Sequence, residues 1–155
     1  MTLPVGPVAG GTKLYRRIPP SWLTPDEDRG CRRISSAAFR DKEASIFLAD
    51  VLDQLKKDPS DILVGSHAGD YLVSVTADDA FEFEQEVKRS PVEGVAEGDV
   101  QQAHGEVSGS KEKKFDGVRV KHHLCRRALW VVAPDDACPD AQGGTGGPSG
   151  SADRR

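Results

Sequence analysis

Two arginine pairs, Arg16-Arg17 and Arg32-Arg33, and one hydroxyl pair, Ser35-Ser36, crowd the segment KLYRRIPPSWLTPDEDRGCRRISSAAFRDKEASIFLAD from Lys13 to Asp50. Arginine carries a planar fork of donors that matches a phosphate or carboxylate bidentately. Both pairs fall in short extended segments. If those segments pair in one sheet, an arginine from each shares a face and an anion bridges them, so Arg16, Arg17, Arg32 and Arg33 are the expected anion-binding set. The competing account is that charged edge strands simply stay soluble and pair with Asp26, Glu27 and Asp28.

Other residue types here carry chemistry in principle. His67 sits in the turn Gly65-Ser66-His67-Ala68-Gly69, His104 opens an extended segment, and His122-His123 precede Cys125. A histidine works as general acid or base near neutral pH. His67, His104 and Ser36 are therefore the candidate catalytic residues, although Ser36 lies in neither a GxSxG elbow nor an SxxK spacing, and turn chemistry accounts for it better. Adjacent histidines point to different sides of a regular element, so at most one of His122 and His123 joins Cys125, whereas a structural zinc wants four convergent ligands. No metal site is expected. A metal-dependent hydrolase would require His67, His104 and one of His122 or His123 to converge.

The elements that must position these groups follow from periodicity. Leu14, Tyr15 and Ile18 around the first arginine pair predict a strand, which Pro19-Pro20 ends because proline offers no amide hydrogen to a ladder. Cys31 to Ile34 predicts a second extended segment. From Ser45, the spacing of Leu48, Val51, Leu52 and Leu55 predicts a helix ending before Asp58-Pro59. Tyr71 to Thr76 reads as a strand, Thr76 and Asp79 as a capping box, and Ala80 to Lys88 as the helix that follows. Ser90 to Asp99 is an acidic loop, Ala103 to Ser108 a strand, and Lys111 to Lys114 a basic turn. Phe115, Val118, His122, Cys125 and Leu129 share a helical face, and Leu129 to Val132 reads as a closing strand before Pro134. The expected class is α+β, a single small domain with a short mixed sheet and two or three helices.

Composition bounds the rest. The chain has 155 residues, a formal net charge of −4 and 30% charged residues, so it lacks the footprint of a general nucleic-acid binder. Gly, Pro, Ser and Asp dominate ACPDAQGGTGGPSGSADRR, so residues 137–155 are expected to be a disordered tail, residues 1–11 a flexible lead-in, and residues 12–136 the domain. Cys31, Cys125 and Cys138 form an odd set without CxxC spacing, which implies no disulfide framework and fits a reducing cytoplasm. No apolar stretch approaches 18 residues, and no charged n-region with a following apolar run opens the chain, so neither a membrane span nor a standard secretory signal is expected.

LYRRIPP, RRISSAAF and SIFLAD together resemble the opening of the RES-type NAD-degrading toxins, which have an ADP-ribosyltransferase-like fold. That resemblance implies that Arg16 or Arg17 and Arg33 hold the phosphates of NAD. It covers about a quarter of the chain and departs where Cys31-Arg32-Arg33-Ile34-Ser35 replaces the family's GRxN-like stretch. From Leu14 to Val132 the order of an arginine strand, an SSxAF segment, a Gly-His-Gly-like turn and a closing Trp-Val strand also resembles small bacterial proteins of similar size, a likeness that brings no activity and suggests a conflict or regulatory operon.

No nucleophile, base and orienter assemble from spacing alone. The leading expectation is a non-enzymatic cytoplasmic module that binds a protein or anionic ligand through its arginine surface, with no cofactor. The alternatives are an NAD-consuming enzyme and the metal-dependent hydrolase. An enzyme of the NAD-consuming class places an arginine, a histidine or tyrosine and an acidic or hydroxyl group in one concave pocket, whereas a binding module shows its arginines on an open face.

Overall fold

The computed structural model describes residues 6–39, 43–82, 85–90, 102–108 and 123–139. Among the described residues, nine strands, β1 (Gly6–Pro7), β2 (Lys13–Ile18), β3 (Leu23–Asp26), β4 (Cys31–Ile34), β5 (Glu43–Leu48), β6 (Tyr71–Thr76), β7 (Glu86–Arg89), β8 (His104–Ser108) and β9 (Leu129–Val132), accompany the helices α1 (Ala49–Gln54) and α2 (Ala77–Phe81). A further helical segment, α3, spans 123–127. The class is α+β. Seven strands form one sheet in the order β1-β7-β8-β5-β2-β6-β9, with antiparallel neighbours, and β3 and β4 form a separate hairpin.

The central strands are buried on both faces. On β5, Ala44, Ile46, Phe47 and Leu48 are buried and Ser45 is exposed, and Leu14, Tyr15, Arg16 and Ile18 of β2 are likewise sealed. Val51 and Leu52 of α1 join them in the core. Gly105 is required in β8, because a Cβ there would stand 2.6 Å from the Lys88 carbonyl oxygen of β7 and 3.0 Å from Ile46 Cδ1.

Two helix expectations give way to strands. The helical spacing that begins at Ser45 is realised only from Ala49, because the preceding segment is claimed on both sides, by β2 at Tyr15↔Phe47 and by β8 at Ile46↔Gly105. Ladder bonds to two neighbours outweigh a weak local helix preference. The helix expected over Ala80 to Lys88 stops at Phe81, although its capping box forms as read, with Asp79 N donating to Thr76 Oγ1 at 3.3 Å and Thr76 N to Asp79 Oδ2 at 2.9 Å. Glu86 to Arg89 instead pairs with β8 and buries Val87 against Val107 in register. The strands over Lys13–Ile18, Cys31–Ile34, Tyr71–Thr76, His104–Ser108 and Leu129–Val132 lie where the sequence places them. The loop from 91 to 99, the basic turn at 111–114 and the helical face from 115 to 122 lie outside the described residues.

Ordered structure passes the expected boundaries at both ends. Gly6 and Pro7 pair with Arg89 and Lys88, and Val8 is buried, so part of the 1–11 lead-in is a sheet edge. Ala137 bridges to Arg32, and Cys138, 1% exposed, is bonded to Cys31. A disulfide therefore exists where cysteine spacing implied none. The two cysteines are 107 positions apart, a separation no local motif reports, yet their Cα atoms stand 4.9 Å apart. The tail beyond Pro139 lies outside the described residues. No described helix is long and apolar enough to cross a membrane.

Candidate active site cleft

The site begins where two central strands part. The β2–β5 pairing is in register at Leu14↔Leu48 and Tyr15↔Phe47 and runs no further toward the C-terminal end of β2. The Arg16 side chain takes up the backbone beyond that point, with Nη1 donating to the Ser45 carbonyl at 2.7 Å and Nε to the Ala38 carbonyl at 2.9 Å. Arg17 is anchored by Nε donating to the Ile62 carbonyl at 2.8 Å. Each guanidinium also lies over an aromatic ring, Arg16 over Trp22 at 5.0 Å and Arg17 over Phe47 at 4.6 Å, contacts that favour a cation through the ring quadrupole.

A cleft of about 540 Å³ opens along this split, lined by both arginines, Trp22, Phe47, His67 and His104, with Pro19, Ser45, Ser66 and Asp70 completing the wall. His67 reaches it from the turn before β6, and His104 from the start of β8, where it sits directly across the ladder from Phe47 with the two rings edge to face at 5.9 Å. Both imidazoles are fixed at Nδ1. That of His67 lies 3.0 Å from Asp70 Oδ2 and that of His104 2.7 Å from the Ser90 carbonyl oxygen. Both partners only accept, so each Nδ1 carries the hydrogen in the neutral ring and each Nε2 is left for other work.

Of the residues singled out from sequence, Arg16, Arg17, His67 and His104 meet in this cleft. Arg32 and Arg33 do not line it. Their strand pairs with β3, not with β2, so the face on which one arginine of each pair would meet does not form. Arg32 Nε instead donates to both carboxylate oxygens of Asp136 at 2.8 Å, a hydrogen bond that holds the guanidinium firmly charged, and Arg33 Nη1 approaches the Ile34 carbonyl at 3.5 Å. Ser36 begins the 3-10 turn Ser36–Phe39, and its side chain lies outside the described residues. Its neighbour Ser35 does the turn chemistry, accepting from Ala37 N at 3.3 Å.

The three-histidine convergence of the hydrolase reading does not form with His123. That residue is buried on α3, with Nε2 3.1 Å from the Asp79 carbonyl oxygen, and burial is the main cause that lowers its pKa, with Arg127 adding to it. His122 lies outside the described residues. Among the described residues, Asp79, Glu82 and His123 bring three potential metal-ligand atoms together, but Arg127 stands 3.6 Å from both carboxylates and serves as their counter-charge.

Sequence reasoning passed over Trp22, Phe47 and Asp70. A signal for Asp70 existed, because a carboxylate three positions after a histidine in a glycine-flanked turn is within reach of its ring. Trp22 and Phe47 carried none, since their role depends on the splay of β2 from β5. Comparison with family models, with curated proteins and with solved structures finds no match for this chain.

Proposed function

We propose that this protein binds a small phosphorylated ligand of nucleotide size in the cleft between β2 and β5. The observation that carries this is the meeting of Arg16 and Arg17 with two anchored imidazoles in a single concavity. Small-molecule sites occupy roughly 300–1,000 Å³ and combine apolar walls with a few placed polar groups, and this cleft follows that pattern. Pro19 and Trp22 offer apolar contact to a planar base, while the arginines supply permanent positive charge for a phosphate. A concave site favours a ligand that enters the protein over a partner docked on an open arginine face. It also matches what an NAD-consuming enzyme needs, so NAD is one of the ligands to try. A bacterial cytoplasm is proposed without the cysteine argument for it, since the Cys31–Cys138 bond is one that a reducing compartment disfavours.

The test is calorimetric titration with inorganic phosphate, AMP, ADP-ribose and NAD. A nucleotide is expected to bind more tightly than phosphate alone, more weakly as salt rises, and roughly tenfold or more weakly to an Arg17→Gln variant, the loss expected for one charge-assisted contact. Absence of heat with every nucleotide rejects the reading. Nicotinamide release from NAD, lost in Arg17→Gln, would identify the NAD-consuming alternative.

A further inference from the structure

We propose, resting on that binding reading, that the cleft cleaves a ribonucleotide phosphodiester, with His104 as general base and His67 as general acid. Two imidazoles line one cleft from separate parts of the fold, and in each Nδ1 is engaged by an acceptor, so Nε2 is the nitrogen that can exchange a proton with a ligand. Two proton carriers and a cationic anion site within one cleft are the groups that an in-line displacement at phosphorus uses. The Nδ1 partners assign the roles: the Asp70 carboxylate beside His67 suits the ring that gives up a proton in the step, and the uncharged Ser90 carbonyl beside His104 suits the ring that takes one up. Asp70 acts through His67 and is a positioning residue.

The step balances without an outside reagent. His104 Nε2 takes the proton of the substrate's 2′-hydroxyl as that oxygen attacks phosphorus. The bond from phosphorus to the 5′-oxygen breaks, its electron pair leaves with that oxygen, and His67 Nε2 supplies the proton that the oxygen gains. The products are a 2′,3′-cyclic phosphate and a free 5′-hydroxyl, and the phosphate keeps its single negative charge. The charge that builds on the non-bridging oxygens lies beside Arg16 and Arg17. An intramolecular hydroxyl has the advantage of proximity over a free nucleophile. A net charge of −4 disfavours a long polyanion, so the substrate class is a short ribonucleotide.

The experiment uses the full chain with the dinucleotide uridylyl-adenosine and its 2′-deoxy analogue. Cyclic phosphate is expected from the ribonucleotide, and binding without cleavage from the analogue. His67→Gln and His104→Asn are each expected to slow turnover at saturating substrate roughly a hundredfold or more. Asparagine keeps a donor for the Ser90 carbonyl, and should His104→Asn fail to fold, His67→Gln, whose side chain is 35% exposed, still decides the matter. Cleavage indifferent to both substitutions overturns the proposal. So does a wild-type protein that binds the analogue and leaves the ribonucleotide intact, an outcome under which the binding reading stands. Failure to bind either compound sinks the binding reading itself.

Discussion

Cys138 is bonded to Cys31 across 107 positions of chain, and that bond fastens the C-terminal segment to the β3–β4 hairpin. The attachment is reinforced on both sides. Arg32 N donates to the Asp136 carbonyl at 2.8 Å, Cys138 N to the Arg32 carbonyl at 2.8 Å, and Trp130 Nε1 to the Cys138 carbonyl at 2.9 Å. The same hairpin sets one wall of the cleft, since Ser35 N donates to the Trp22 carbonyl at 2.8 Å and Trp22 carries Arg16 on its ring.

Opening the bond is expected to destabilise the fold by about 4–5 kcal/mol, the loop-closure entropy of a cross-link spanning on the order of 100 residues. Urea unfolding of the wild type with and without dithiothreitol measures it, with Cys31→Ser as the control that reductant leaves unmoved. Truncation after Asp136 carries the same penalty, whereas truncation after Pro139 keeps the bond. Equal stability of the two truncations contradicts this account.

Leu52→Ala is expected to cost roughly 2–5 kcal/mol, because the side chain is 1% exposed on α1 and truncation leaves a cavity in the core. Chemical denaturation checks it, and a loss under about half a kcal/mol would place Leu52 on the surface.

Arg16→Ala is expected to lower stability by roughly 2–4 kcal/mol as well as weaken ligand binding. The residue is 5% exposed, and its loss removes the donors that serve the Ala38 and Ser45 carbonyls. Arg17→Gln, which keeps a donor for the Ile62 carbonyl, is expected to move binding more than stability. Thermal melts beside titration calorimetry separate the two effects, and Arg16→Ala melting like wild type would refute the anchoring role.

His123 gives stability a pH dependence of known sign. Its pKa is lowered in the fold, first by burial and then by Arg127, so the unfolded chain binds the proton more readily. Stability is therefore undiminished above the ordinary histidine pKa of about 6.5 and falls as pH drops below it, levelling off beneath the folded value. A His123→Gln variant is expected to have a flatter profile in that window, as read by urea midpoints across the acidic range. An unchanged slope rules out His123 as its source.

The strands over Lys13–Ile18, Cys31–Ile34 and Tyr71–Thr76 and the Thr76–Asp79 cap were legible in the chain, because alternation, proline stops and capping spacing act over a few residues. Arg16, Arg17, His67 and His104 were legible as reactive types, but their meeting place was not. It depends on where the β2–β5 ladder ends and on β8 setting His104 opposite Phe47, contacts between segments dozens of positions apart. Ser45 to Leu48 shows why local reading stops short: its apolar spacing suits a helix as well as a strand, and two flanking ladders decide for the strand. Arg32 and Arg33 left the expected anion surface for the same reason, because β3 supplies their strand's ladder partner. Composition marked the C-terminal segment as unable to pack. The bond to Cys31 and the hydrogen bonds that Cys138 makes with Arg32 and Trp130 hold its first residues, an attachment only the tertiary structure could decide.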